Sequence, residues 1–118
     1  MSKDKPKAVI YDINKTLTKK DVAKKARKDA KKGKKVLVVT SRPEDQRKDA
    51  EKFLKDNNIP ADKLLMRPSG SKKKDAKVKK DIYEKNIKGK YNVKKAYDDK
   101  DSNVKMFRKE GIKTKEVK

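Results

Sequence analysis

Short apolar runs alternate along this chain with segments in which apolar residues recur at helical spacing. Apolar runs rich in β-branched residues, without polar alternation, indicate strands that are buried on both faces. Residues 36–39 show this pattern most clearly, and residues 8–11 show it over a similar length. In all, the pattern predicts five strands, over residues 8–11, 36–39, 63–66, 93–97 and 112–117.

Four helices are predicted between these strands, over residues 21–32, 43–57, 75–86 and 102–110. Gly33 and Gly111 follow the first and last of them, at positions where a helix commonly ends. Pro43 suits the first turn of the second helix, and Asp75 is a candidate cap for the third. Strands and helices that alternate in this way predict one α/β domain over residues 1–118, a three-layer α/β/α Rossmann-like fold around a parallel sheet.

Polar side chains close three of the predicted strands. In a parallel sheet with helices on both faces, ligands bind at the carboxyl ends of the strands. Carboxylates with hydroxyls and a lysine suit Mg²⁺ and a phosphate group. The residues of these types at the three strand ends, or near enough to reach them, are Asp12, Asn14, Thr16, Thr40, Arg42, Lys79, Asp98 and Asp99.

The composition excludes several classes of site. The chain has no Cys, no His and no Trp, so it has no disulfide scaffold, thiolate nucleophile, Ser-His-Asp triad or His/Cys zinc site. Catalysis would have to use carboxylates, Lys, Arg, hydroxyls or a hard metal ion. No apolar run reaches the length of a membrane span, and the first residues lack an apolar leader, so we expect a cytoplasmic protein without membrane contact.

The charge is strongly basic, with 39 Lys and Arg against 18 Asp and Glu. Most of the cations are Lys, and they are spread over the whole chain, which is typical of a solvated surface. A net charge of +21 nevertheless predicts non-specific attraction to polyanions at low salt. A lysine-rich, non-specific nucleic-acid binder without chemistry is therefore one alternative, although aromatic residues for base stacking are scarce.

The residues from Asp12 to Thr18, together with Thr40, Lys79 and the Asp98-Asp99 pair, resemble the haloacid dehalogenase (HAD) superfamily of phosphatases. The first motif of that superfamily is D-x-D-G-T-[LV]. Residues 64–83 and 97–112 resemble the 3′-phosphatase domains of polynucleotide kinase/phosphatase proteins, and the resemblance extends over residues 5–117. It implies a HAD-type sheet with strand order 3-2-1-4-5 and no cap domain.

The resemblance also implies a mechanism and a metal. Asp12 would attack the phosphoryl group and form an aspartyl phosphate, which water then hydrolyses. Mg²⁺ would be bound by Asp12, by the backbone carbonyl of Asn14 and by one or both of Asp98 and Asp99.

Five further residues have roles that the resemblance implies around the substrate. Thr40 would hydrogen-bond a phosphoryl oxygen, and Lys79 would neutralise the charge that develops on it. Thr16, Arg42 and Asp75 are expected near the substrate, with Thr16 also ordering its loop. The expected partner of this site is a phosphorylated small molecule or a nucleic-acid 3′ end, and we expect a monomer.

The first motif departs from the superfamily pattern at two positions. Asn14 stands where the family has the Asp that protonates the leaving oxygen, and the loss of such general acid catalysis typically costs about 10²–10⁴-fold in rate. Lys15 stands where the family has Gly. We therefore expect impaired activity. The alternative is a degenerate or designed HAD scaffold without turnover, since a chain so rich in Lys and lacking three residue types resembles a simplified sequence.

Overall fold

A computed structural model describes residues 5–118; the first four residues, on which the expectation about a leader segment partly rests, lie outside it. The strands are β1 (Lys7–Tyr11), β2 (Lys35–Pro43), β3 (Lys63–Arg67), β4 (Asn92–Asp98) and β5 (Thr114–Glu116). The helices are α1 (Lys20–Lys31), α2 (Arg47–Asp56), α3 (Asp75–Asn86) and α4 (Asp101–Lys109). All strand pairs are parallel and the order is β3-β2-β1-β4-β5, which confirms the predicted sheet.

The sheet separates two apolar layers, and β1 contributes to both. Val9 and Tyr11 belong to the layer formed with α1 and α2, while Ala8 and Ile10 belong to the layer formed with α3 and α4. Successive side chains of a strand point to opposite faces, so a strand covered on both sides has to be apolar throughout. This is why β1 and β2 appear in the sequence as unbroken apolar runs.

The helices bury the apolar faces that the sequence predicts, and two of them also bury a charged residue. Ala50 and Leu54 of α2 are buried. On α1, however, Asp29 is buried at 1% exposure, and on α3 Lys79 is buried to the same extent. Within residues 5–118, none of the helices combines the length and the apolar character that a membrane span requires.

The prediction that the second helix begins at Pro43 is wrong. The strand β2 continues through Pro43, which pairs with Arg67 of β3 after a shift of register. A single 3₁₀ turn, Glu44–Gln46, then leads into α2. Pro fits the first turn of a helix, but it also fits the end of a strand, where it has no hydrogen bond to donate.

Replacing Tyr11 with Phe is expected to lower the free energy of unfolding by about 1–3 kcal/mol. The Tyr11 hydroxyl donates a hydrogen bond of 2.5 Å to Oδ2 of Asp29, and the Tyr11 ring stacks on Tyr97 with centroids 4.7 Å apart. Burial, together with Asp29, raises the pKa of Tyr11, so the hydroxyl remains a donor. Without it the buried carboxylate loses its closest partner.

Chemical denaturation measures this difference. The half-buried Tyr91 provides the matched control, because Tyr91→Phe removes a hydroxyl without taking a hydrogen-bond donor from a buried carboxylate. Equal midpoints for the two variants would show that the hydrogen bond to Asp29 contributes nothing.

Candidate active site

The carboxyl ends of β1 and β4 meet beside the buried ammonium of Lys79. Asp12 follows β1, Asp98 is the last residue of β4, and the side chain of Lys79 enters from α3. Its Nζ donates to Oδ1 of Asp12 at 2.7 Å and to Oδ2 of Asp98 at 2.6 Å. All three residues are buried, so these contacts are strong and hold the two carboxylates close together.

Asp98 has further donors on its other oxygen. The backbone N–H of Lys100 and Nδ2 of Asn103 donate to Oδ1 of Asp98, at 3.1 and 3.2 Å. Asn103 lies in the first turn of α4 and is 2% exposed. The sequence analysis did not identify this residue. Its only signal is an amide five positions after Asp98, in a helix turn that follows a strand end.

The pKa values of Asp12 and Lys79 are both raised, for different reasons. Burial raises the pKa of Asp12 to about 6; Lys79 opposes this rise and Asp98 adds to it. Burial alone would lower the pKa of Lys79, but the carboxylates of Asp12 and Asp98 outweigh it and raise that pKa. The ammonium therefore stays charged, and the carboxylates that face it are in excess.

The same carboxylates form a set that fits a hard divalent cation. Asp12, Asp98 and Asp99 each offer a carboxylate oxygen, and these oxygens lie within 4.8 Å of one another. Three carboxyl groups thus lie together, and the single ammonium of Lys79 pairs with two of them, Asp12 and Asp98. Mg²⁺ prefers oxygen ligands, above all carboxylates, and its charge would balance the excess. The residues present therefore fit this ion.

The turn after β1 places Thr16 against Asp12. The Thr16 hydroxyl is buried and donates to Oδ2 of Asp12 at 3.2 Å, so both oxygens of this carboxylate have a donor. Within the turn Asn14 is extended, with φ −63° and ψ 131°. Lys15 is left-handed, with φ 57° and ψ 13°. The chain thus uses, at Lys15, a conformation that Gly adopts most easily.

Replacing Lys15 with Gly is expected to raise the free energy of unfolding by about 0.5–1 kcal/mol. The left-handed conformation strains a residue with a Cβ atom, and relief of that strain exceeds the added flexibility of Gly in the unfolded chain. Lys32 is the control, because its φ of −84° is ordinary, and Lys32→Gly should destabilise. Thermal denaturation of both variants measures the two changes in stability. A loss of stability for Lys15→Gly would contradict the presence of backbone strain at Lys15.

Asn14 is paired with Arg42 rather than with the carboxylates. Nη2 of Arg42 donates to Oδ1 of Asn14 at 2.7 Å, and Asn14 is exposed. Because a guanidinium has only donors, this contact fixes the amide with its oxygen towards Arg42. Thr40 is buried in β2, and its hydroxyl accepts from the backbone N–H of Arg42 at 3.2 Å, so it does not cap the next helix.

Asp75 begins α3 but does not contact Lys79 directly. The cap position is Lys74, so the expectation that Asp75 is the cap is corrected: it is the first helical residue, where a negative charge suits the helix dipole. Its carboxylate accepts from Arg67 at 2.6 Å and from Lys100 at 2.9 Å. Lys100 and Arg67 hold the pKa of Asp75 below its usual value, against the opposing effect of partial burial.

Arg67 is a second residue that the sequence analysis missed. It is the last residue of β3, and its guanidinium also donates to the backbone carbonyls of Ser41 and Lys73, at 2.8 and 2.6 Å. It therefore ties the end of β2 to the loop before α3. Its signal in the sequence is a polar residue directly after the predicted strand over residues 63–66, the same kind of position that identifies Asp12 and Asp98.

Comparison with known protein families shows to which family the chain belongs. The family model of the polynucleotide kinase PNKP phosphatase domain matches residues 7–118. The chain belongs to this family. The PNKP phosphatase domains are of the HAD type, which agrees with the sheet order β3-β2-β1-β4-β5. A search of curated protein sequences finds no match.

Solved structures agree with the PNKP phosphatase assignment. A chain in the structure of a Pnkp1/Rnl/Hen1 complex is 30% identical, with a TM-score of 0.90 over 97% of this chain. A second structure, of the Pnkp1/Rnl/Hen1 RNA repair complex, is also 30% identical, with a TM-score of 0.87 over 95% of this chain. This chain spans only 46% and 42% of those two proteins.

A more distant structure supports the fold alone. The core domain of a Streptococcus pneumoniae TIGR4 protein is 18% identical, with a TM-score of 0.62. The match covers 93% of this chain and 78% of that one.

Proposed function

We propose that this chain hydrolyses phosphate monoesters at polynucleotide 3′ ends through an aspartyl phosphate on Asp12, at a rate reduced by Asn14. The observation that carries the proposal is the setting of Asp12. Its two oxygens accept from Lys79 and Thr16, and it lies beside the carboxylates of Asp98 and Asp99 at the ends of the central strands. Such a carboxylate is fixed in place and partly stripped of water, which suits a nucleophile.

In the first step an oxygen of Asp12 forms a bond to phosphorus, and the bond from phosphorus to the leaving oxygen breaks. Lys79 keeps its proton, because its pKa is raised, and its positive charge offsets the charge of the reacting carboxylate and phosphate. In the second step water attacks the phosphorus and releases inorganic phosphate, which restores Asp12.

Asp12, Asp98, Asp99 and the backbone carbonyl of Asn14 would hold Mg²⁺. When bound, the ion neutralises charge on the phosphoryl oxygens and reduces the repulsion between them and Asp12. Asp98 is held ready for this role by the N–H of Lys100 and the amide of Asn103.

Thr40 and Arg42 are the groups proposed to bind the phosphoryl oxygens, because both come from the end of β2, next to β1. The guanidinium of Arg42 has donors beyond the one that Asn14 uses, and a guanidinium suits phosphate geometry. Asp75, with Arg67 and Lys100, would order the loop and helix that carry Lys79.

Asn14 limits both steps. An amide cannot protonate the leaving oxygen in the first step, nor accept a proton from the attacking water in the second. Solvent has to supply and remove these protons. A leaving group that is already stable as an anion, such as the carboxylate of acetyl phosphate, needs no such help in the first step.

The preference for a polynucleotide over a small phosphorylated molecule rests on the family and on charge. One of the similar solved structures is of the Pnkp1/Rnl/Hen1 RNA repair complex, and the net charge of +21 favours a polyanionic substrate. We therefore propose a nucleic-acid 3′-phosphate as the natural substrate.

The test is phosphate release from a 3′-phosphorylated oligonucleotide, from the same oligonucleotide with a 5′-phosphate, and from acetyl phosphate, with Mg²⁺ or with EDTA. We expect Mg²⁺-dependent release from the 3′-phosphate and from acetyl phosphate, little release from the 5′-phosphate, and none from any substrate with Asp12→Asn. The 5′-phosphorylated strand controls for attraction of the polyanion to the lysine surface.

Two other results would replace the proposal. If neither the parent chain nor Asn14→Asp releases phosphate from any substrate, the chain is a HAD scaffold without turnover. The chain is instead a lysine-rich binder if three results coincide: the oligonucleotide binds equally with or without its phosphate, Asp12→Asn leaves this binding unchanged, and the affinity falls steeply as salt is added.

A further inference from the structure

One edge of the sheet presents charged residues on a face that is apolar elsewhere. Tyr97 of β4 pairs with Lys115 of β5, and Lys95 precedes Tyr97 by two residues, so all three side chains lie on one face. This is the α1 side of the sheet, because Lys95 pairs with Val9 and Tyr97 pairs with Tyr11. A helix packed here would bury two ammonium groups at a high cost in free energy, which favours a surface that stays open to solvent.

A basic cavity occupies this position. It measures about 710 Å³ and lies between the β4–β5 edge and the start of α1, where Lys19 precedes the helix and Lys25 belongs to it. Of the described residues that line it, only Asp21 is acidic. We call this cavity the lysine groove and define it by Lys19, Lys25, Lys95, Tyr97 and Lys115.

The lysine groove continues towards the carboxylate cluster. A smaller cavity of about 370 Å³ is lined by Lys15, Lys19, Asp99 and Glu116. Lys19 lines both cavities, and Asp99 is the outer member of the cluster around Asp12. Lys15 and Lys19, with the carboxylates of Asp99 and Glu116 beside them, therefore connect the turn that carries Asn14 to the lysine groove.

We propose that the lysine groove binds the sugar-phosphate backbone of a polynucleotide strand, directly upstream of the 3′-phosphate that is removed. The inference rests on the proposed function, since it places the rest of the substrate whose end reaches Asp12. Lysines provide point charges for phosphates. Tyr97 is 5% exposed, and Lys95 Nζ lies 5.0 Å from its ring centroid, so the ring offers no face on which a base could stack. Binding would therefore depend on salt and not on sequence.

Lys95 and Lys115 are the residues to change. Lys25 lies 3.9 Å from the buried Asp29, and Lys19 contacts the carbonyl of Lys118, so substitutions there would also disturb the fold. Lys95→Gln with Lys115→Gln removes two charges from the lysine groove. The control, Lys48→Gln with Lys55→Gln, removes the same charge from exposed positions on α2.

Fluorescence anisotropy with a 3′-phosphorylated oligonucleotide is the first readout. Two lost phosphate contacts should weaken binding about 25-fold at about 0.1 M salt and flatten the salt dependence, whereas the control pair should bind like the parent. In hydrolysis the groove variant should raise KM for the oligonucleotide and leave KM for a mononucleoside 3′-phosphate unchanged, because the smaller substrate does not reach the groove. Melting curves establish that both variants fold.

Three results would overturn the proposal. Equal binding by the groove and control variants, with hydrolysis intact, would show that the whole lysine surface attracts the strand. That result would contradict the role of the lysine groove and would leave the proposed function unchanged. If a polyglutamate peptide binds as tightly as the oligonucleotide and loses the same affinity in the groove variant, the occupant is an acidic protein. Absence of hydrolysis in every variant, Asn14→Asp included, would remove the proposed function and with it this inference.

Discussion

Replacing Asn14 with Asp is expected to raise the turnover of a 3′-phosphorylated oligonucleotide by about 10²–10⁴-fold. The introduced carboxyl group would protonate the leaving oxygen, which becomes a hydroxyl, and would then accept a proton from the attacking water. Two groups of the proposed mechanism are already held in place, because Asp12 accepts from Lys79 and Thr16 and Asp98 accepts from Asn103. In the proposed mechanism the variant therefore supplies the acid that Asn14 cannot provide.

The gain should depend on the leaving group. Phosphoryl transfer from acetyl phosphate to Asp12 should change little, because the leaving carboxylate needs no proton. Stopped-flow or quenched-flow measurements separate this step from the later hydrolysis, and the parent should show a burst that the variant lacks.

Asn14→Leu is the matched control for the exchange. It removes the amide and its contact with Arg42 without adding a proton donor, so it should gain nothing. A similar gain for Asn14→Leu would show that Asn14 restrains the site by its contact with Arg42. No gain for Asn14→Asp, in a chain that Asp12→Asn inactivates, would show that the site does not use an acid at this position.

Replacing Lys79 with Met is expected to lower the free energy of unfolding by about 3–5 kcal/mol and to abolish turnover. Lys79 is 1% exposed and is the shared ammonium of Asp12 and Asp98. Met fills much of the same volume, so the loss comes from two carboxylates left facing each other in a buried site. Chemical denaturation measures it. Lys77→Met, at an exposed position on the same helix, should cost less than about 1 kcal/mol.

The pH dependence of this loss identifies its cause. The pKa of Asp12 is already about 6 through burial, and removing the ammonium would raise it further. The folded variant then holds a proton that the unfolded chain releases above its ordinary pKa of about 4. Its unfolding free energy should therefore fall as the pH rises from about 4 through the folded pKa.

A second substitution separates charge from packing. Adding Asp98→Asn to Lys79→Met removes one of the two facing carboxylates and should recover part of the stability. If the double variant is no more stable than Lys79→Met, and the loss does not change with pH, the ammonium stabilises the fold by packing and not by charge.

The sequence predicted the sheet because strands covered on both sides have to be apolar throughout, a pattern that survives a composition of 48% charged residues. It predicted the end of β2 wrongly because Pro43, Glu44 and Asp45 suit a helix start as well as a strand end. Only the pairing of Pro43 with Arg67, on a different strand, decides between the two.

The candidate site was predicted in its residue types and not in its contacts. Lys79 is separated from Asp12 by 67 positions and from Asp98 by 19, so its position in the HAD resemblance could point to the residue but not to the contacts that it makes. Its partners become visible only when β1 and β4 lie side by side. Asn103 and Arg67 were missed for the same reason, since each acts on a group that another element supplies.

The most direct test of the central claim is to find the phosphoryl group on Asp12. The chain is mixed with acetyl phosphate and Mg²⁺, quenched in acid, digested and mapped by mass spectrometry. Because Asn14 cannot activate water, we expect the phosphoaspartate to accumulate on Asp12 in the parent, to be much less abundant in Asn14→Asp and to be absent in Asp12→Asn. Phosphate release without a phosphoryl group on Asp12, or a group attached elsewhere, would contradict the account.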